Sequence, residues 1–362
     1  MKRIVSLFFI FILVLLNPIV GNCTEVDGII SEEPAYEEYS PEIFFIDSDF
    51  SSDVDDAFAI STAVWFEDAG LVDLRGVSLC ITSTRGAQAM TALLYAHKVW
   101  DVPVSMDTSY GIPIYNKYYT NMINGRPSSQ EYFNNTTKFY RKMLSESEKP
   151  VNIVTLGHFI NMSALLNSQP DEYSPLTGYE LIQQKVKALY VVGCKNSGKP
   201  ENNIWYSGVT DVPNRWFGTT GVPDSAINVA NNWPTKLVFV TSETGGTFSV
   251  GGFLARSDWR KTDILNVALI DFGTPNGHKA FDPMAIYVAM CDANGLLDSK
   301  GILLEPGRMR IYQDGSSTFT AGEPTHNHYR VVKSLPDSVY QSEINSMLAF
   351  EYEKRSGKKV QW

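Results

Sequence analysis

The chain has 362 residues, of which 44% are hydrophobic and 12% aromatic, and this composition excludes a disordered or fibrous protein. Its formal net charge is -10, so nucleic acid and anionic lipid surfaces gain no electrostatic attraction and are not expected as partners. The sequence therefore predicts an acidic globular protein with a large hydrophobic core.

The first residues have the pattern of a secretory signal. Two basic residues precede the apolar run IVSLFFIFILVLL, and small and polar residues then lead to Cys23. The run is too short for a comfortable membrane span, which needs ~20 residues, so we predict a signal peptide at 1–23 and an exported protein, periplasmic or extracellular. A lipid anchor at Cys23 is the alternative, although Asn22 before it fits a lipobox poorly.

The remaining chain is predicted to form a linker and one domain. Residues 24–40 are acidic and aperiodic, which indicates a linker, and residues 41–362 contain no internal repeat or low-complexity segment. The three cysteines of this domain lie in apolar runs without the spacing of metal ligands, which indicates buried thiols. They are Cys80, Cys194 and Cys291.

Strand-like and helix-like segments alternate along the domain. In chain order, EIFFI leads to the helical spacing of DVDDAFAISTAVWF, LRGVSLCI leads to GAQAMTALLYAHKVW, and VNIVTLG leads to HFINMSALLNS. VKALYVVGC and TKLVFVTS are further strands, and FDPMAIYVAMCDA is another helix. This alternation predicts an α/β fold with an open, mostly parallel central sheet and helices on both faces. The segment 301–331, with its QDGS turn, predicts a small antiparallel element near the C-terminus.

Two longer polar stretches interrupt the alternation, at 108–135 and 194–224. In open α/β sheets, ligands bind where loops leave the carboxyl ends of strands, so we expect these stretches to cover a pocket. Surface loops without such a role are the alternative. The aromatic side chains of the second stretch either stack on a ring of the ligand or pack over the domain. They are Trp205, Tyr206, Trp216 and Phe217.

The stretch DSDFSSDVDD, between EIFFI and the first helix, holds five aspartates in ten positions. Helix capping is one interpretation, because Ser51, Ser52 and Asp53 are candidate N-cap residues and acidic residues in a first turn interact well with the helix dipole. Capping leaves Asp47 and Asp49 unexplained. Carboxylates that converge at a strand end without His or Cys suit Ca²⁺ or Mg²⁺. A metal site is therefore favoured over capping, and both stay open.

Four segments together resemble the inosine-uridine-preferring nucleoside hydrolase family. FIDSDFSSDVDDAFAI resembles a longer variant of its Asp-x-Asp signature, and LRGVSLCITSTRGAQAMTALLYAH resembles its second strand and helix. VNIVTLGHFINMSALL resembles its Leu-Gly-Pro-Leu-Thr-Asn-Leu-Ala segment, and FDPMA resembles its His-Asp-Pro-x-Ala segment. The four occur in the family's order over residues 43–332. The resemblance implies the family's α/β fold and hydrolysis of the N-glycosidic bond of ribonucleosides or related N-ribosides.

The resemblance implies a Ca²⁺ ion at the carboxyl edge of the sheet as the cofactor. It implies carboxylate ligands at Asp49, Asp56 and Asp282 and a main-chain carbonyl ligand at Leu156. It also implies that Asp49 acts as the general base towards a metal-bound water.

The resemblance further implies a substrate site beside the metal. Asp55 is expected to receive ribose hydroxyls, and Asp47 and Asp53 are expected to support the ligands from behind. Ser83 lies near the position of a ribose-contacting Asn of the family. Glu243 follows a strand, near a Glu-x-Gly segment of some relatives, so both residues are expected to contact the substrate.

The chain also departs from the family pattern. Phe281 stands where many members have a His linked to leaving-group activation, and His278, three residues upstream, is either a replacement or incidental. His158 and Phe159 replace the proline and leucine of the third segment. The family's Glu-Phe-Asn segment has no clean match, and NRWFG at 214–218 occupies its region without the acid.

These departures leave two alternatives to a calcium-dependent hydrolase. One is a catalytically impaired nucleoside- or sugar-binding module of the same fold. The other is a phosphatase with a nucleophilic Asp-x-Asp, which leaves FDPMA unexplained. A small-molecule N-riboside is the expected partner, and the sequence leaves a homo-oligomer open.

Overall fold

The structure is a computed structural model that describes residues 40–50, 53–111, 118–204, 222–256, 263–324 and 327–360. The predicted signal peptide and nearly all of the predicted linker lie outside the described residues, as do NRWFG and the four loop aromatics. Pro41–Trp362 form one compact unit.

Twelve strands are present in the described residues. They are β1 (Glu42–Ser48), β2 (Val72–Leu79), β3 (Val104–Met106), β4 (Phe133–Asn134), β5 (Val151–Thr155), β6 (Val186–Val192), β7 (Lys236–Val240), β8 (Ser249–Val250), β9 (His278–Lys279), β10 (Ile302–Ile311), β11 (Ser317–Ala321) and β12 (His328–Lys333).

Eleven α-helices connect these strands within the same described ranges. They are α1 (Asp55–Asp68), α2 (Thr84–Ala96), α3 (Tyr118–Ile123), α4 (Thr136–Glu146), α5 (Ile160–Leu166), α6 (Gly178–Lys185), α7 (Val222–Asn232), α8 (Ser242–Gly245), α9 (Ile264–Phe272), α10 (Phe281–Ala293) and α11 (Asp337–Ser356). No helix in the described ranges has both the length and the apolar character to cross a membrane.

Ten of the strands form one sheet in the order β11-β10-β12-β7-β6-β5-β1-β2-β3-β4. All neighbouring pairs from β4 to β12 are parallel, whereas the pairs β12–β10 and β10–β11 are antiparallel. The prediction of an open, mostly parallel sheet is confirmed. The predicted antiparallel element is the β10–β11 hairpin, which extends the main sheet, and β8 and β9 form a separate antiparallel pair.

Side chains of the central strands alternate between two hydrophobic cores. In β1, Phe44 and Ile46 belong to one core, and Ile43 and Phe45 belong to the other. Because successive strand residues point to opposite faces, both faces of the sheet are covered. The first core includes α1, α2, α3, α9, α10 and α11, and the second includes α4, α5, α6 and α7. The continuous apolar runs of the strands follow from this double burial.

The cysteine prediction is also confirmed in the described residues. Cys80, Cys194 and Cys291 are buried free thiols. Burial raises the pKa of the Cys80 and Cys194 thiols well above the usual value, which makes them unreactive as thiolates.

Candidate metal and substrate site

The site begins at the carboxyl end of β1, where the direction of the strand order changes. From β1 the chain builds β2 to β4 on one side of the sheet and β5 to β7 on the other. Asp47 is in register with Ser78 of β2 and Thr155 of β5. Open α/β sheets bind ligands in the crevice where the strand order reverses in this way. Asp47 and Asp49, the Asp-x-Asp pair, therefore lie where a ligand site is favoured.

The next two aspartates lie in the first turn of α1. Asp55 and Asp56 are its first residues, and the N-cap is Val54, which makes no side-chain capping bond. Asp53 precedes this N-cap, so the capping role considered for it is wrong. The buried first turn instead directs two carboxylates towards the end of β1.

Three carboxylates meet below the crevice. Asp55, Asp56 and Asp282, which lies in the first turn of α10, each offer an oxygen, and these oxygens lie within 4.8 Å of one another. Burial and the neighbouring aspartates raise the pKa of Asp55 and Asp282 well above the usual range. Burial, followed by the charge of Asp53, raises the pKa of Asp56 to about 8.

The same cluster contains unsatisfied oxygens. Among the described residues, Oδ1 of Asp55 and Oδ2 of Asp56 are buried without a hydrogen-bond partner. Oδ1 of Asp56 accepts a hydrogen bond of 2.5 Å from the Ser48 hydroxyl. Since buried charges are costly unless they are paired, a cation fits this arrangement. The all-oxygen donor set suits a hard ion such as Ca²⁺.

Asp49 is fixed against the loop that follows β5. Gly157 packs so closely on it that a Cβ at this position would lie 2.6 Å from the Cβ of Asp49. His158, also buried, places Nδ1 3.6 Å from Oδ2 of Asp49, and burial lowers the pKa of His158 to about 4. The His158 ring is therefore neutral at pH 7, and the close approach of a glycine sets the position of Asp49.

Asp47 is fully buried behind this group. Its carboxylate accepts hydrogen bonds from Nδ2 of Asn161 at 2.8 Å, from the hydroxyl of Tyr140 at 3.2 Å and from the hydroxyl of Thr155 at 3.5 Å. Burial raises the pKa of Asp47 to about 7. The Asp47 carboxylate is thus satisfied by donors inside the protein, and its role as a support for the ligands stays a prediction.

A cavity of about 390 Å³ opens above the aspartates. We call its first part the aspartate wall, formed by Asp49, Asp53, Asp55 and Asp282. We call its second part the β6–β7 wall, because its residues follow those two strands or end β6. The β6–β7 wall contains Val192, Lys195, Glu201, Asn202, Asn203, Ser242, Glu243, Gly246 and Thr247, and the cavity is completed by Leu156 and Phe281.

Most of the predicted site residues line this cavity. Asp56 lies with Asp55 and Asp282 in the carboxylate cluster, and Leu156 is one of the residues that line the cavity. Glu243 is exposed and accepts a hydrogen bond of 3.0 Å from the backbone N–H of Asn196. Ser83 is placed differently: it is the N-cap of α2, accepts from the backbone N–H of Gly86 at 3.3 Å, and is not one of the lining residues.

The sequence analysis missed Glu201 and Asn203. Asn203 donates from Nδ2 to the carbonyl of Leu156 at 2.7 Å, and its backbone N–H donates to Oε2 of Glu201 at 2.9 Å. Oε1 of Glu201 accepts from the Ser242 hydroxyl at 3.2 Å, and burial raises the pKa of Glu201 to about 7. The detectable signal was the Glu-x-Asn spacing in KPENNI, soon after β6.

The structure also brings His278 to the aspartates. Its Nδ1 lies 3.6 Å from Oδ1 of Asp55, and its Nε2 lies 3.8 Å from Oδ2 of Asp53. These distances exceed those of hydrogen bonds. Phe281, in contrast, lines the cavity directly and gives it one apolar surface.

The chain shares its α/β fold with solved structures of nucleoside hydrolases. One of them is a purine-preferring ribonucleoside hydrolase from Gardnerella vaginalis, with a TM-score of 0.63 and 14% identity over 86% of this chain and 100% of that chain. A plant nucleoside hydrolase gives a TM-score of 0.61 and 17% identity, covering 88% of this chain and 100% of that chain.

A third similar structure is the type III effector protein XopQ, solved in complex with adenosine diphosphate ribose. It gives a TM-score of 0.59 and 12% identity over 86% of this chain and 94% of that chain. The sequence matches no family model and no curated protein. The resemblance inferred from the sequence is thus confirmed for the fold.

Proposed function

We propose that the protein hydrolyses the N-glycosidic bond of ribonucleosides or related N-ribosides and that it uses Ca²⁺ to do so. The observation that carries this proposal is the buried cluster of Asp55, Asp56 and Asp282 beside Asp49, under a cavity of about 390 Å³. Its support from the comparisons is that several proteins of the same fold are named as nucleoside hydrolases.

In this proposal, Asp49, Asp56 and Asp282 hold the ion with their carboxylates, and Leu156 adds its main-chain carbonyl. The Leu156 carbonyl oxygen has two lone pairs, so the hydrogen bond from Asn203 leaves one of them available. When bound, Ca²⁺ would supply a water of lowered pKa and would neutralise part of the aspartate charge. Asp49 would act as the general base that accepts the proton of the attacking water.

The aspartate wall also suits the electrostatics of the reaction. Cleavage of a glycosidic bond passes through an oxocarbenium-like state, in which positive charge develops on the sugar. Carboxylates placed around the sugar favour that charge in a buried site. Asp55 accepts hydrogen bonds from ribose hydroxyls, and on the β6–β7 wall Glu201 and Asn203 offer further polar contacts to the substrate.

Export belongs to the proposal as well. The basic start, apolar run and small-residue region before Cys23 support secretion to the periplasm or the outside. An exported hydrolase of this kind would act on extracellular ribosides, and a riboside is its expected small-molecule partner.

A binding module without turnover is the second candidate. The observation that favours it is Phe281, an apolar residue in the cavity where the resemblance leads one to expect a His for the leaving group. Such a module would bind ribosides or Ca²⁺ and release no sugar.

The test is to incubate the protein with purine, pyrimidine and nicotinamide ribosides and to measure released reducing sugar with and without EDTA. We expect chelator-sensitive release that disappears in Asp49→Ala and persists in the control Asp73→Asn, whose side chain pairs with Arg75 on the surface. Calcium binding without release from any riboside would instead establish the binding module.

A further inference from the structure

A second group of metal-binding side chains lies beside the carboxylate cluster. Asp53, Asp55 and His278 each offer one ligand atom, and these atoms lie within 4.8 Å of one another. Asp55 belongs to both groups, whereas His278 has no part in the function proposed above. The two groups differ in chemistry, because only this one contains an imidazole nitrogen.

The His278 ring is oriented as a metal ligand would be. Its Nδ1 lies 3.2 Å from the carbonyl oxygen of Lys279, and since a carbonyl only accepts, Nδ1 carries the proton. Metal-ligating histidines commonly donate their second ring N–H to a backbone carbonyl in this way. The ring also packs edge-on against Phe272, with centroids 5.5 Å apart, which restrains its rotation.

When Nδ1 carries the proton of a neutral ring, the lone pair of His278 is on Nε2. This nitrogen faces a carboxylate oxygen. Oδ2 of Asp53 lies 3.8 Å from it. Two ligands of one tetrahedral ion at ordinary bond lengths lie about 3.4 Å apart, so a small side-chain movement brings both onto the same ion. A lone pair facing a carboxylate is repulsive unless a proton or a metal ion lies between them.

The Asp55 side chain adds a second observation to the position of the ring. Its side chain is 1% exposed, and within the described residues its Oδ1 has no hydrogen-bond partner. This same oxygen lies 3.6 Å from Nδ1 of His278, so it flanks the ring on the side of its protonated nitrogen. A buried carboxylate oxygen without a hydrogen-bond partner therefore lies beside the imidazole of this group.

We propose that Asp53, Asp55 and His278 form a second metal site that takes a divalent transition-metal ion of the Zn²⁺ or Co²⁺ class. Imidazole suits these ions, whereas the oxygen-only cluster of Asp55, Asp56 and Asp282 suits Ca²⁺. Asp55 is shared by the two groups of side chains, so the second ion would lie beside the Ca²⁺ site.

The shared carboxylate gives the second ion a regulatory effect, and this part rests on the proposed function. Asp55 is the residue assigned to the ribose hydroxyls. An ion that engages its Oδ1 removes that contact, so the transition metal is expected to inhibit competitively with the riboside.

The test uses Co²⁺ as the probe, because its visible absorption reports nitrogen ligation directly. With Ca²⁺ held in saturating excess, we expect one Co²⁺ per chain by equilibrium dialysis, together with a visible absorption band. His278→Gln and Asp53→Asn should each weaken Co²⁺ binding at least about tenfold, and His278→Gln should also change the band. The control is Asp298→Asn, because Asp298 is an exposed residue in a short 3-10 helix after α10. This variant should bind Co²⁺ as the unaltered protein does.

Two results would overturn the proposal: no Co²⁺ bound beside saturating Ca²⁺, or binding that His278→Gln leaves unchanged. Circular dichroism and Ca²⁺ binding of the variants exclude loss of folding as the cause. Absence of riboside hydrolysis would remove the proposed function and the competitive inhibition while leaving the Co²⁺ measurement intact, so the two failures are distinguishable.

Discussion

The aspartate wall and the β6–β7 wall of the cavity are held in place by different interactions. The carboxylates of the aspartate wall crowd together, and the oxygens of Asp55 and Asp56 described above lack partners among the described residues. On the β6–β7 wall, Glu201 has both carboxylate oxygens hydrogen-bonded, to Ser242 and to the backbone of Asn203. The first wall therefore needs a cation to be stable when charged, whereas the second is complete within the protein.

This difference assigns different roles to the two walls. A wall that is unstable without a cation is suited to hold an ion and to stabilise developing positive charge. A wall with satisfied hydrogen bonds is suited to orient a substrate that exchanges some of those bonds. Perturbing each wall in turn should therefore affect turnover, substrate binding and stability to different degrees.

Removal of the metal should have the largest effect. With EDTA we expect sugar release to be abolished and the thermal midpoint to fall, because the carboxylates of the aspartate wall lose their counter-charge. At a free Ca²⁺ concentration of 100 times Kd, the ion contributes about 2.7 kcal/mol to the free energy of unfolding. Calorimetry with EDTA and with restored Ca²⁺ measures this, and an unchanged midpoint would contradict a metal in the aspartate wall.

Asp49→Asn should have the next largest effect. Loss of a general base lowers kcat by about 10²–10⁴-fold, and the substitution retains the size of the side chain. The comparison with Asp73→Asn, a change in a surface ion pair of small energetic value, isolates the role of Asp49. If Asp49→Asn keeps full kcat in the presence of Ca²⁺, another group accepts the proton.

The contrast between the walls also explains how far the sequence could be used for prediction. Most aspartates in and behind the aspartate wall are local in sequence, because one strand end and one helix start supply Asp47, Asp49, Asp55 and Asp56. Their spacing was visible, and the fold followed from apolar runs that reflect burial on both faces of the sheet. Asp282, in contrast, was predicted as a site residue only because FDPMA resembles the family's His-Asp-Pro-x-Ala segment.

The β6–β7 wall was harder to predict because its residues come from loops that only the tertiary structure brings together. Glu201 and Asn203 lie in a polar stretch with no helical or strand periodicity. Their importance depends on a hydrogen bond to Leu156, 47 positions away along the chain. The proximity of His278 to Asp55 is equally non-local, since the two residues are separated by most of the domain. For Ser83 the sequence resemblance pointed to a substrate contact, because Ser83 lies near the family's ribose-contacting Asn. In the structure Ser83 is the N-cap of α2.

Gly157→Ala should affect turnover more than stability. The added Cβ would lie 2.6 Å from the Cβ of Asp49, so Asp49 must move. Overpacking costs about 1–3 kcal/mol, and a displacement of about 1 Å in a catalytic group lowers the rate by about 10²-fold.

Gly125→Ala is the matched control for this substitution. Gly125 has φ of +69° and no atoms within 4 Å of an added Cβ, so alanine there costs about 1–2 kcal/mol of backbone strain without displacing Asp49. Equal kcat losses in the two variants would show that lowered stability alone explains the effect.

Glu201→Gln should affect the substrate more than the chemical step. A hydrogen bond to a charged group contributes about 1.5–3 kcal/mol, so its loss should raise KM by about 10- to 100-fold with a smaller change in kcat. Steady-state kinetics on the best riboside of the panel measures the two parameters. A loss confined to kcat would place Glu201 with the catalytic groups of the aspartate wall.

The smallest expected effect on turnover belongs to the last prediction, which concerns the pH dependence that Glu201 gives to stability. Burial raises its pKa to about 7 in the folded protein, whereas an unfolded Glu titrates near about 4.3. Between these values the folded state binds more protons than the unfolded state, so stability falls as the pH rises from about 4.3 to 7 and levels off above 7. The full contribution is at most about 4 kcal/mol.

The measurement is the free energy of unfolding of the unaltered protein and of Glu201→Gln, across that pH range and at saturating Ca²⁺. Glutamine does not titrate, so the difference between the two proteins isolates Glu201 from the buried aspartates. We expect the free energy of unfolding of the unaltered protein to fall relative to that of Glu201→Gln as the pH rises towards 7. A difference that stays constant with pH would mean that Glu201 is already charged in the folded state, and the β6–β7 wall would then need a cation just as the aspartate wall does.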